Sequence, residues 1–143
     1  MPRLALIALV LLVTISACGG GGDPLTAGEY RQEAGAICAE TQELLDAVSL
    51  EGGDVAGYFE ETIPIAEDRR DRLDDLEPPE ELEEAHDELI DRLDEIIETA
   101  GDLRDAAESG DSEGVQEATG RGQELQRELD AAADELGLDS CAS

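Results

Sequence analysis

From residue 26 onward this chain carries four stripes of mostly apolar residues whose members recur in steps of three and four, with one step of seven in the second, and with turn signals between the stripes. Tyr30, Ala34, Ile37, Thr41, Leu44 and Val48 make the first. Val55, Phe59, Ile63, Ala66, Leu73 and Leu76 make the second. The third is Leu82, His86, Leu89, Leu93, Ile96, Ala100, Leu103 and Ala107, and the fourth is Val115, Ala118, Gly122, Leu125, Leu129, Ala132 and Leu136. Such steps keep one face of an α-helix apolar, whereas a half-buried strand needs alternation with period two. No alternation of that kind occurs after residue 25. The predicted fold class is all-α. Four helices joined by short turns must alternate in direction and bury one stripe each, which gives an up-down four-helix bundle. A long antiparallel helical hairpin or a three-helix bundle is the alternative.

The turn signals set the helix ends. Thr26 followed by Glu29 is a capping-box pattern for the first helix, and Ser49 to Gly53 breaks it. Asp54 can cap the second helix, in which Pro64 removes one backbone hydrogen bond and predicts a kink or restart. Glu77-Pro78-Pro79 ends that helix and places Pro79 as the first residue of the third. Ser109-Gly110 stops the third helix, and Asp111 or Ser112 caps the fourth. Gly137-Leu138 reads as a Schellman ending, with a left-handed glycine and an apolar contact behind it. The fourth stripe is rich in Ala and Gly, so it permits close approach but buries little area.

The N-terminus carries an address. Arg3 with the free amine, the ten apolar residues from Leu4 to Val13, and the small pair Ser16-Ala17 are the three parts of a secretory signal. The apolar run is too short to span a bilayer, which takes about 20 residues. Ile15-Ser16-Ala17-Cys18 resembles the lipobox of bacterial prolipoproteins. That resemblance implies cleavage after Ala17 and a thioether-linked diacylglycerol on the Cys18 sulfur, often with a third acyl chain on its amine. The alternative for Cys18 is a third disulfide partner or a free thiol. Gly19 to Gly22 and Asp23-Pro24 then form a tether that reaches about 15 Å as a flexible coil. The chain thus divides into a signal peptide (1–17), the lipidated cysteine and Gly-rich tether (18–25) and an acidic helical bundle (26–143). Lys and Asn, whose codons are AT-rich, are both missing, which points to a high-GC bacterial genome. The expected location is the outer face of the bacterial cytoplasmic membrane.

Charge excludes partners. The chain has 38 acidic and nine basic side chains and a formal charge of −29, and losing Arg3 with the signal takes it to −30. Nucleic acid, a polyanion, is excluded. Direct adsorption to anionic lipid is unfavourable without divalent cations, so the membrane is reached through the lipid anchor. An envelope protein or cations remain as partners.

With Cys18 assigned to lipid, Cys38 and Cys141 remain, and an even remainder outside the cytoplasm reads as one disulfide. Two unpaired thiols or a metal pair are the alternatives. Two sulfurs without histidine partners make a poor zinc site. Tyr30 with Cys38, the turn Leu76-Glu77-Pro78-Pro79-Glu80-Glu81-Leu82 and the ending Leu136-Gly137-Leu138-Asp139-Ser140-Cys141 resemble small secreted helical-bundle lipoproteins of actinobacteria. The resemblance covers about residues 26–141. It implies the bundle and the disulfide and no activity.

Residues that carry chemistry are few. His86 is the single histidine, and Glu83 three residues before it reproduces one half of a Glu-x-x-His di-iron pair; the second half is absent. The expected role of His86 is a partly buried helix residue whose acidic neighbours favour its charged form. Haem ligation would want a His or Met partner, and Met1 leaves with the signal. No segment matches an EF-hand loop, a nucleophile elbow or a phosphate loop. Arg69-Arg70-x-Arg72, the only basic cluster, sits among acids and reads as helix-surface pairs such as Asp68 with Arg72, with an anion site as the lesser reading. No catalytic residue, metal ligand or cofactor is expected. The chain reads as a non-enzymatic lipoprotein acting as an interaction or structural module of the cell envelope. The alternative is a binding module for divalent cations at low affinity or for a small apolar ligand between the helices.

Overall fold

The structure, a computed structural model, describes residues 24–142. Cys18, the signal peptide and most of the tether lie outside them. Four helices follow in order: α1 Ala27–Ala47, α2 Val55–Asp74, α3 Glu83–Ser109 and α4 Ser112–Leu136. Short 3₁₀ turns at Glu51–Gly53 and Glu80–Leu82 precede α2 and α3. Consecutive helices pack on one another, α1 on α2, α2 on α3 and α3 on α4, as an up-down bundle requires.

The local signals act where the sequence puts them. Thr26 caps α1 through a reciprocal box: its hydroxyl accepts from the Glu29 amide, and the Glu29 carboxylate accepts from the Thr26 amide at 3.0 Å. The Asp54 carboxylate accepts from the Gly57 amide, and that of Asp111 from the Glu113 and Gly114 amides. Gly110 and Gly137 both take φ of 71°, the left-handed conformation that ends a helix most cheaply at glycine. After Gly137 the Leu138 amide donates to the Ala133 carbonyl at 2.9 Å, and the Leu138 side chain is buried behind it.

Of the kink or restart expected at Pro64, the restart is absent, since helix α2 runs through the proline. The freed carbonyl belongs to Glu60, and both residues are exposed, so water takes the missing donor's place. Pro79 is not the first residue of α3. Its ψ of 153° is extended, its carbonyl accepts from the Leu82 amide at 2.8 Å, and the α-helix starts only at Glu83.

The core is concentrated in one half of the bundle. Tyr30, Ala34, Ile37 and Cys38 of α1 meet Leu73 of α2, Leu89, Ile90 and Leu93 of α3, and Leu129, Ala132, Ala133 and Leu136 of α4. The C-terminal tail closes this half against α1. Arg31 Nε donates to the Leu136 carbonyl at 2.7 Å and Ser140 Oγ to the Gly35 carbonyl at 3.0 Å. Cys38 and Cys141 form a disulfide with Cα atoms 5.0 Å apart, joining residues 103 positions apart in the chain.

The other half is left under-filled, which departs from four fully buried stripes. Leu44, on the stripe of α1, is 47% exposed. Phe59, Ile63 and Ala66 of α2 and Ile96, Ala100 and Leu103 of α3 are only half-buried. No residue of α1 after Thr41 is buried, and α4 offers only the small Ala118 and Gly122 to this half, which bury little area.

The acidic helices are held together by scarce arginines placed at their seams. Arg72 of α2 reaches Glu40 of α1 at 2.7 Å, and Arg70 of α2 reaches Asp94 of α3 at 2.8 Å. Arg92 of α3 pairs with Glu128 of α4, and Arg121 of α4 with Glu95 of α3. Exposed pairs of this kind are worth at most about 1 kcal/mol each. Here they also interrupt carboxylate–carboxylate repulsion at each seam.

Candidate functional site

The under-filled half contains a trough whose floor is α3 and whose walls are α2 and α4. Phe59, Ile96, Leu103, Ala118 and Gly122 line a space of about 280 Å³. None of the residues lining it carries a charge, in a chain with 38 acids. The local sequence explains its shape. Phe59 stands edge-on to Tyr58, their ring centroids 5.3 Å apart, which holds a wall of α2 upright. On the opposite wall, a Cβ built at Gly122 would meet nothing nearer than Thr99 Cγ2 at 3.9 Å, so glycine here leaves open volume rather than a tight fit.

A second space of about 290 Å³ shares Phe59, Ile96, Ala100 and Gln126 with the first, and Cys141 and Arg69 also line it. Among the described residues Arg69 is the only arginine with neither an ion pair nor a hydrogen bond, and its Nε is buried without an acceptor. Burial pushes its guanidinium below the ordinary arginine value. The sequence-level reading of Arg69, Arg70 and Arg72 as surface pairs therefore holds for Arg70 and Arg72, and Arg72 does meet Asp68 at 3.5 Å, but it fails for Arg69. The signal was in the second stripe: Ala66 and Leu73 are seven apart, and Arg69 fills the missing inward position between them.

His86 sits in the closed half, away from the trough. It is 4% exposed, its Nδ1 is 2.9 Å from the Tyr30 hydroxyl, and the two rings meet edge to face. Desolvation holds its imidazole below the usual histidine value and outweighs the opposing pull of Asp87 and Asp74. The expected charged form is thus corrected to a neutral one, because burial beats two carboxylates on the solvent side. A neutral ring protonated on Nε2 accepts from Tyr30, whose phenol burial pushes up to about 12. The pair is a core hydrogen bond that leaves neither the Tyr30 hydroxyl nor His86 Nδ1 buried without a partner. The sign for stability follows. Between its depressed folded value and the unfolded value near 6.5, the unfolded chain binds the extra proton, so this residue's contribution is lost as pH falls below about 6.5. In a proton NMR titration the single imidazole should give a midpoint below 6.5; a midpoint above it would contradict the burial argument.

The carboxylates do not converge. A cleft of about 540 Å³ beside the α3–α4 turn is rimmed by Asp102, Asp105, Asp111 and Glu117, yet no group of three or more His, Cys, Asp or Glu side chains among the described residues stands ready to hold an ion. Among the described residues no helix is long and apolar enough to cross a membrane. Compared with protein-family models, curated proteins and solved structures, the chain matches none.

Proposed function

We propose that this chain is a non-enzymatic lipoprotein module of the bacterial envelope, anchored through Cys18 at the outer face of the cytoplasmic membrane, and that its bundle binds a small apolar ligand between α2, α3 and α4. The observation that carries the binding role is the uncharged trough. A chain with 38 acids keeps charge off every residue around a space of about 280 Å³ while its other half packs shut. Apolar concavities of this size, with a few polar groups at one end, are the usual form of small-molecule sites. The likeness to small actinobacterial bundle lipoproteins and the lipobox support the location. The dispersed carboxylates give the cation reading no comparable geometry.

The test is binding of Nile red, a neutral apolar fluorophore, to mature chain 18–143 carrying Cys18→Ser, so that no acyl chain or bilayer competes. Saturable binding with one site is expected. Gly122→Leu, which sends a side chain into the trough from a position with room for a Cβ, should weaken it at least about tenfold, the loss of 1.4 kcal/mol or more. Non-saturable binding, or binding indifferent to Gly122→Leu, would remove the proposal.

A further inference from the structure

We infer that the ligand of this trough is an anionic amphiphile, a medium-length chain ending in a carboxylate or similar oxyanion, whose head is taken by Arg69. The inference rests on the trough reading and adds the ligand's head group and orientation.

Arg69 is where the chemistry departs from that of every other described arginine. Arg70, Arg72, Arg92, Arg104 and Arg121 each have a carboxylate, and Arg31 and Arg127 each donate to a backbone carbonyl. Arg69 has none of these, although acids outnumber arginines about fourfold in the sequence. Its Nε is buried without an acceptor, as is that of Arg92, but Arg92 has carboxylates on its terminal nitrogen and Arg69 has none. An oxyanion offered in bidentate fashion is the group that best completes such a guanidinium.

The position of Arg69 fixes the polarity of the ligand. Ten residues of α2 separate it from Phe59, about 15 Å along the helix. The two spaces border each other at Phe59, Ile96 and Ala100, which line both. A head at Arg69 therefore lays its tail toward Phe59 and the uncharged trough beyond. Gln126 borders both spaces, and its amide nitrogen donates one hydrogen to Asp130 at 3.0 Å. Asp46 also lines the space that Arg69 lines, but the Gln42 amide donates to its carboxylate at 2.8 Å and it makes no ion pair with Arg69.

The overall charge of −29 opposes an anion at long range. Beyond a screening length of about 8 Å at physiological salt that repulsion is damped, while a half-buried pair is screened much less. A second copy of this chain is a poor occupant, because it would bring the same charge with it.

Octanoate and 1-octanol separate the head from the tail. Each is used to displace Nile red from mature 18–143 carrying Cys18→Ser, with Arg69 intact and with Arg69→Gln. Both compounds should displace the dye. Arg69→Gln should weaken octanoate about tenfold or more and leave octanol within about twofold, so the octanol arm also reports that the variant is folded. If both compounds bind and the substitution moves them equally or not at all, the head-group assignment is overturned and the trough reading stands. If neither compound nor the dye binds, both are overturned.

Discussion

Replacing Cys38 and Cys141 together by Ala is expected to lower the melting temperature by roughly 15–25 °C. The bond closes a loop of 103 residues, for which the chain-entropy model gives about 4.7 kcal/mol. A domain of this size loses several degrees per kcal/mol. The location makes the upper end of the range the right one. Cys141 is the last strong link between the tail and α1, and α1 supplies Tyr30, Ala34 and Ile37 to the only well-filled half of the core. Without the bond, the polar contacts left at that seam are the Arg31–Leu136 and Ser140–Gly35 hydrogen bonds. Amide exchange should therefore rise first in α1, ahead of α3 and α4. A shift of less than about 5 °C, with α1 still protected, would mean that packing rather than the disulfide holds α1 in place.

Cys18→Ser in the full precursor should move the protein out of the membrane fraction. Two acyl chains at about 0.8 kcal/mol per buried methylene anchor stably, and a single short chain only marginally. Among the described residues nothing replaces them. The described helices cannot span a bilayer, and a charge near −30 disfavours adsorption to anionic lipid. Fractionation with palmitate labelling reads the result. Wild type should be labelled and sediment with membranes, whereas the variant should be unlabelled and soluble. Retention of the variant in the membrane would contradict lipid anchoring at Cys18.

What could be read from the sequence was whatever depends on near neighbours. The Thr26–Glu29 box, the Asp54 and Asp111 caps and the Gly137–Leu138 ending are set by residues two to five apart, and each appears where the spacing puts it. The disulfide was legible by counting, once Cys18 was set aside. What escaped depends on which helices meet, and how closely. Leu44 keeps the period of its stripe but ends up 47% exposed, in a stretch of α1 where no residue is buried. His86 is surrounded by acids in sequence yet packs inward against Tyr30, so burial rather than neighbouring charge sets its protonation. Arg69 was masked by its own cluster. Three arginines in four positions look alike on paper, and only the turn of α2 decides that Arg70 and Arg72 find carboxylates and Arg69 does not.

A small apolar guest should enter the half of the bundle beyond the disulfide, and intermolecular NOEs from octanol protons to the isotope-labelled mature chain read where it sits. Contacts are expected to Phe59, Ile96 and Leu103, which line the trough, and none to Leu89, Leu129 or Leu136, which are sealed in the closed half. NOEs to the closed-half leucines, or none to the trough residues at saturating octanol, would contradict this placement.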